Sequence, residues 1–191
     1  MTESVTLRPL TGVHVHSDTT KILMPVSLNY KFLMSIGAAL ALVTGVLGAS
    51  LVSLLWGEAE LVPLWGQQSI ASHLVSFSVI VGFVLGWIAT KATRKALLSK
   101  KVLPLHWHLK SQTVIDQLPA RTWHRSLMLG LSGALLASLT LILFEAKRLS
   151  HLPYDKFVLL FSVYAVTLSV AITVMAVYRA MGDKTVQQVK P

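Results

Sequence analysis

Residues 32–56 read FLMSIGAALALVTGVLGASLVSLLW, twenty-five positions without a single charge. An α-helix rises about 1.5 Å per residue, so about 20 apolar residues cross the hydrocarbon layer of a bilayer. Three further stretches reach that length, at 70–90, 126–144 and 157–178. The sequence therefore predicts an all-α, polytopic integral membrane protein with four transmembrane helices arranged as two hairpins.

Composition agrees with that prediction. Only 13% of the residues are charged, whereas soluble domains carry about 25%, and the mean hydropathy is +0.64. The charges lie between the long uncharged stretches. They divide the chain into an N-terminal tail (1–30), a transmembrane domain (31–181) with a basic loop (91–125), and a C-terminal tail (182–191). The tail before the first span lacks the apolar core and cleavage site of a signal peptide, so we expect that span to be retained.

Basic residues predict the orientation. Fourteen of the 17 Lys and Arg residues lie before the first span, between the second and third spans, or after the fourth span, and the other three lie between the third and fourth spans. The loop between the first two spans has none and carries Glu58 and Glu60 instead. Because cytoplasmic loops hold the excess of Lys and Arg, both termini are expected in the cytoplasm. No organelle-targeting or lipidation signal is visible, which favours a bacterial inner membrane.

Small residues recur four positions apart within the spans. Helices in a bilayer associate by close backbone approach, which such residues permit. The residues predicted to form helix-packing or partner interfaces are Gly37, Ala41, Gly45, Ala49, Gly82, Gly86, Gly133 and Ala137. The simpler interpretation is packing inside one bundle, and the alternative is that Gly82 and Gly86 face a second protein.

The two halves of the chain resemble one another. Residues 31–34 (KFLM) open the first span as residues 125–128 (RSLM) open the third, and 77–79 (FSV) matches 161–163 (FSV). Two copies of a hairpin would be parallel and related by an axis along the membrane normal. Apolar segments also resemble one another by chance, so an internal repeat and coincidence both remain open.

Histidines offer the main candidates for metal or haem chemistry. Two HxH pairs, His14 with His16 and His106 with His108, could together supply four imidazole ligands. No Asp, Glu or Cys accompanies them at a familiar spacing, and the chain contains no cysteine. A b-type haem would need two facing histidines at one depth, for which His73 and His151 are the only pair. Ordinary interfacial histidines are the simpler interpretation, and we expect no cofactor.

The 91–125 loop is the largest part outside the predicted spans. We expect its first section to contact anionic lipid headgroups through Lys91, Arg94, Lys95, Lys100 and Lys101. Residues 112–118 fit a short amphipathic surface helix. A docking site for a cytoplasmic partner protein is the alternative, whereas nothing beyond charge favours nucleic acid.

No mid-span charge, phosphate loop, HExxH, GxSxG or paired-carboxylate motif occurs in the sequence. We therefore expect a non-enzymatic membrane subunit or accessory and assembly factor of a larger membrane complex, associated with other subunits or with itself. The alternative is a small transporter or channel built by a homo-oligomer, and an intramembrane enzyme comes third.

Overall fold

Four long helices and one pair of very short strands make up the fold. The computed structural model describes residues 18–57, 60–104 and 117–183, with side chains described from residue 28 onward. In chain order the elements are α1 (Asp18–Trp56), β1 (Leu61–Pro63), α2 (Ile70–Leu98), α3 (Thr122–Ala146), β2 (His151–Pro153) and α4 (Tyr154–Met181). All four helices are long and apolar enough to cross a membrane, so the prediction of an all-helical chain with four potential spans is confirmed.

The helices extend past the apolar stretches that predicted them. α2 begins at Ile70, where a capping box joins Ser69 and Ser72, and it continues to Leu98. Its last turns carry Lys91, Arg94 and Lys95, which form helix readily and suit the negative end of a helix dipole. Hydropathy measures the apolar part of a helix, and therefore it underestimates the length of the helix itself.

Helices α2 and α4 form the centre of the bundle. They contact each other, α3 packs along α2, and α1 packs along α4. The helices of each predicted hairpin, α1 with α2 and α3 with α4, make few contacts with each other. The predicted arrangement as two hairpins is therefore not confirmed, because each helix finds its main partner in the other half of the chain.

Glycines bring α2 and α3 close together. A Cβ added at Gly82 would lie 3.0 Å from the Cα of Gly130, and one added at Gly86 would lie 3.3 Å from the Cα of Ser126. A Cβ at Gly133 would lie 2.9 Å from the carbonyl oxygen of Ser78. Gly82, Gly86 and Gly133 thus lie inside the bundle, against a helix of the same chain.

The small residues of α1 divide into two groups. A Cβ at Gly45 would meet the side chain of Val166 on α4 at 2.9 Å, and Ala41 is buried. Ala49 is half-buried, and Gly37 has nothing within 4 Å of an added Cβ. On α3, Ala137 is fully buried. The stripe on α1 therefore contacts α4 around its middle and is open near residue 37.

The outward faces of α1 and α3 are apolar. Leu54 is 82% exposed and Leu135 is 73% exposed, while Phe157, Phe161 and Leu168 fill the interior. Such apolar exposure would be unfavourable in water and is ordinary against lipid tails.

The two strands join the two short loops at one end of the bundle. They pair antiparallel with Val62 opposite Leu152, and the ladder continues with the Leu64 N–H donating to the Ser150 carbonyl oxygen at 2.9 Å. Pro63 and Pro153 fall on the alternate positions, where an antiparallel ladder needs no N–H donor. We call this the strand end, and the opposite end, where α2 stops and α3 starts, the basic end.

Candidate functional site

Three arginines converge on one carboxylate at the basic end. The Nη2 of Arg94 lies 2.7 Å from Asp183 Oδ2, the Nη2 of Arg125 lies 2.8 Å from Oδ1, and the Nη1 of Arg179 lies 2.9 Å from Oδ1. The side chains of Arg125 and Asp183 are fully buried, whereas those of Arg94 and Arg179 are 27% and 15% exposed. We call these four residues the arginine cluster.

The same arginines hold the segment that leads into α3. Arg179 donates from Nε to the Leu118 carbonyl oxygen at 2.8 Å, and Arg125 donates from Nε to that of Pro119 at 3.1 Å. Arg94 donates from Nη2 to the carbonyl oxygen of Ala120 at 2.7 Å. Backbone carbonyls are thus satisfied by guanidinium donors where no helix or strand is available. The cluster thereby ties α2, α3, α4 and the end of the 91–125 loop together.

The helix dipoles of α3 and α4 explain why Arg125 and Asp183 are paired. Arg125 lies in the first turn of α3, where the helix dipole disfavours a cation, and Asp183 follows α4, whose end disfavours an anion. Each is unfavourable alone. Pairing them across the two helices removes both penalties and supplies charge-assisted hydrogen bonds.

The cluster carries more positive charge than Asp183 neutralises. Three guanidinium groups face one carboxylate, and the buried Nη1 of Arg125 has no hydrogen-bond partner among the described residues. Removing one partner of a buried ion pair is strongly destabilising because a charge is left uncompensated. The arrangement is suited to fixing helix ends at the basic end.

The lysines predicted to contact lipid lie around this cluster. Lys91, Lys95, Lys100 and Lys101 are exposed at the end of α2, and the Lys91 ammonium lies 4.3 Å from the centroid of the Trp87 ring. Arg94 differs from them, because its guanidinium turns inward to Asp183 and to the Thr122 hydroxyl at 2.8 Å. The four lysines thus form an exposed basic surface beside the buried Arg125–Asp183 pair, and we call this surface the basic rim.

Sequence reasoning counted the arginines as topology signals and missed the cluster. One signal was available: Arg179 and Asp183 stand four residues apart, a spacing that brings side chains together at a helix end. Arg94 and Arg125 have no comparable signal, because their approach to Asp183 depends on how three helices pack.

Aromatic rings surround His73 at the strand end. Its ring centroid lies 5.0 Å from that of Trp56 and 5.0 Å from that of Phe161, and its Nε2 is buried without a hydrogen-bond partner among the described residues. A cavity of about 240 Å³ beside it is lined by Trp56, Gln67 and Ser72, among others. His151, the other histidine considered for haem, is exposed on β2 next to the Ser150 hydroxyl.

Hydroxyl groups inside the bundle connect α4 to α2 and to α1. The hydroxyls of Ser78 and Tyr164 lie 2.6 Å apart and are both buried, which joins α2 to α4. Thr44 on α1 donates to Ser169 on α4 at 3.4 Å. These contacts satisfy polar groups inside an apolar bundle, which is how interhelical hydrogen bonds support membrane helices.

The four histidines considered for metal, at 14, 16, 106 and 108, lie outside the described residues, as does most of the amphipathic segment 112–118. Among the residues the structure describes, no group of three His, Cys, Asp or Glu side chains is placed to hold a metal ion. No family model matches this chain, and no curated protein or solved structure matches it either.

Proposed function

We propose that this chain is a non-enzymatic integral membrane subunit, or an accessory and assembly factor, of a larger membrane protein complex. The observation that supports it is the arginine cluster. It fixes the end of the 91–125 loop to α2, α3 and α4 through the carbonyl groups of 118–120, which gives the basic end a rigid base. A rigid base lowers the entropy cost of presenting a binding surface to a partner.

Charge supports the basic end as the partner surface. The exposed rim of Lys91, Lys95, Lys100 and Lys101 suits an acidic segment of another subunit, and it equally suits anionic lipid headgroups. Both contacts fit one orientation, in which the basic end and both termini face the cytoplasm. A bacterial inner membrane is the membrane that we propose.

Native mass spectrometry of the tagged protein, gently extracted at its natural expression level, tests this function. We expect co-purified subunits and a defined complex mass. Changing the four rim lysines to Gln should release those subunits, whereas changing Lys147 and Lys156 at the strand end to Gln should not. A bare monomer, or a symmetric homo-oligomer without other subunits, would contradict the proposal.

Exposed hydroxyls support a second candidate, a small transporter or channel built by a homo-oligomer. Ser76 on α2 and Ser132 and Ser138 on α3 are exposed on faces that are otherwise apolar. A second copy covering these faces would surround a path with hydroxyl groups. Proteoliposomes of the purified chain should then show solute flux, and their silence would exclude this candidate.

We also propose that the bundle is an internal repeat. In such a repeat α1 corresponds to α3 and α2 corresponds to α4. The contact of α2 with α3 then corresponds to the contact of α4 with α1, and the α2–α4 contact lies between the two. This pattern supports a two-fold axis that passes between α2 and α4.

A further inference from the structure

Two positive charges of the arginine cluster have no counter-charge within the described part of the chain. Arginine is always protonated in proteins, so the three guanidinium groups carry three charges, and Asp183 offsets one of them. Charge removed from water is costly unless a group of opposite sign lies beside it. The cluster therefore favours an anion, and two negative charges would balance it.

The start of α3 adds positive potential at the same place. The Nη1 of Arg94 donates to the hydroxyl of Thr122, the first residue of α3, at 2.8 Å. The N-cap residue Arg121 makes no capping hydrogen bond with its side chain, and the first turn of α3 contains no acidic residue. The first N–H groups of a helix have no partner within it, and the helix dipole makes this end positive. An anion beside Arg94 would therefore be stabilised by α3 as well as by the arginines.

Hydrogen-bond donors of the arginine cluster remain for such an anion. Arg179 uses Nε for the Leu118 carbonyl oxygen and Nη1 for Asp183, and its Nη2 makes no hydrogen bond to the described residues. The fully buried Arg125 likewise keeps an unpartnered Nη1. The side chains of Arg94 and Arg179 are partly exposed, so the cluster is accessible from outside the bundle. Guanidinium groups bind oxyanions, and phosphate groups in particular, through paired N–H donors.

Neighbouring side chains indicate that the membrane supplies the phosphate. Trp123 and Tyr178, which stand beside the cluster residues in the sequence, are 64% and 40% exposed. Exposed Trp and Tyr are typical of the membrane–water interface, the depth at which lipid headgroups lie. From this level toward the middle of the bundle, α3 presents the exposed side chains of Leu127 and Leu131. A phosphate at the cluster and acyl chains along α3 would follow the order of these groups in a phospholipid.

We propose that the arginine cluster binds a phospholipid whose headgroup is a phosphate monoester, as in phosphatidic acid. A phosphate monoester approaches two negative charges at pH 7, whereas a phosphodiester headgroup carries one. The monoester therefore offsets both surplus charges of the cluster. Its oxygens accept hydrogen bonds from Arg94 and Arg179, and its acyl chains follow the exposed apolar face of α3. The arginine cluster forms this site, whereas the basic rim does not, and the site does not depend on the proposed function.

Native mass spectrometry of the purified full chain in a non-ionic detergent tests this site. The protein is mixed with equal amounts of phosphatidic acid and phosphatidylglycerol that carry the same acyl chains. We expect about tenfold more bound phosphatidic acid, the ratio that one additional charge-assisted hydrogen bond provides. Arg179→Gln removes one surplus charge and should lower this ratio to about one. Equal binding of the two lipids to the unaltered protein would overturn the proposal.

Arg121→Gln is the matched control for general charge. Arg121 is exposed directly before α3, and it forms no ion pair with the described carboxylates. Its replacement removes the same charge from the same end of the bundle, and the tenfold preference should remain. If Arg121→Gln and Arg179→Gln lowered the preference equally, the lipid would be responding to total charge, and the proposal would be wrong.

Thermal unfolding of the unaltered protein gives a second measurement, which decides if Arg179→Gln does not fold. Phosphatidic acid should raise the unfolding midpoint more than phosphatidylglycerol at the same concentration, because a ligand that binds only the folded chain stabilises it. Equal shifts with the two lipids would contradict the proposal. Inorganic phosphate in excess should leave the midpoint unchanged. A shift with inorganic phosphate as large as that with phosphatidic acid would identify a soluble phosphate as the occupant and overturn the proposed lipid.

Discussion

Asp183 is the residue on which the basic end depends most. It neutralises part of the charge of three arginines, and its carboxylate shares full burial with Arg125. Most surface ion pairs contribute little to stability, since solvent screens them and long side chains lose entropy. The Arg125–Asp183 pair is buried, so the loss of either partner leaves the other as an uncompensated buried charge.

Asp183→Asn should therefore destabilise the protein by about 3–5 kcal/mol, because three guanidinium groups then lack a counter-charge. Thermal unfolding in a fixed detergent measures the effect as a lower midpoint. Asp155→Asn is the control, since that carboxylate is exposed in the first turn of α4 and should change the midpoint little. Equal midpoints for the two variants would show that the cluster is not a stabilising centre.

Individual residues also show what the sequence allows one to predict at this scale. The charges of Arg94, Arg125 and Arg179 were visible, but their pairing was not, because it depends on the relative placement of α2, α3 and α4. Gly82 and Gly133 were expected at helix contacts, and the structure places both against a neighbouring helix.

Among the elements, the α2–α3 pair shows most clearly how backbone approach determines packing. Gly82→Ile would place a branched side chain where a Cβ alone lies 3.0 Å from Gly130 Cα. Overpacking of this kind costs about 1–3 kcal/mol, so the unfolding midpoint should fall. Gly37→Ile is the matched control, because nothing lies within 4 Å of its Cβ position, and its midpoint should stay near that of the unaltered protein. A fall in Gly37→Ile alone would mean that α1, rather than α2, makes the tight contact.

The existence of the helices was predictable and their partners were not. Uncharged stretches of sufficient length identify spans directly. The backbone N–H and C=O groups of such a stretch find no water in lipid, so the stretch forms a helix, in which these groups bond to each other. Helix partners depend on side-chain shape along whole faces, and short loops made the α1–α2 and α3–α4 hairpins the expected pairs. The β1–β2 pair, which carries only three residues per strand, has no sequence pattern long enough to predict it.

At the scale of the whole molecule, the strand pair determines which chain segments share an end. Because β1 pairs with β2, the two strands bring the short loops together, and the described residues of the 91–125 loop lie at the opposite end with the arginine cluster. The distribution of Lys and Arg is therefore a contrast between two physical ends of one bundle. From that contrast the positive-inside rule predicts an orientation in which the basic end faces the cytoplasm.

Cysteine labelling in intact cells tests this orientation, and the absence of natural cysteines makes every label attributable to one position. Gln67→Cys at the strand end should react with a membrane-impermeant maleimide added outside. Lys100→Cys at the basic end should react only after the membrane is permeabilised. Both side chains are exposed, so a difference in reactivity reports the side of the membrane. The opposite pattern would place the arginine cluster and the lysine rim outside the cell, and the partner proposed for the basic end would then have to be sought there.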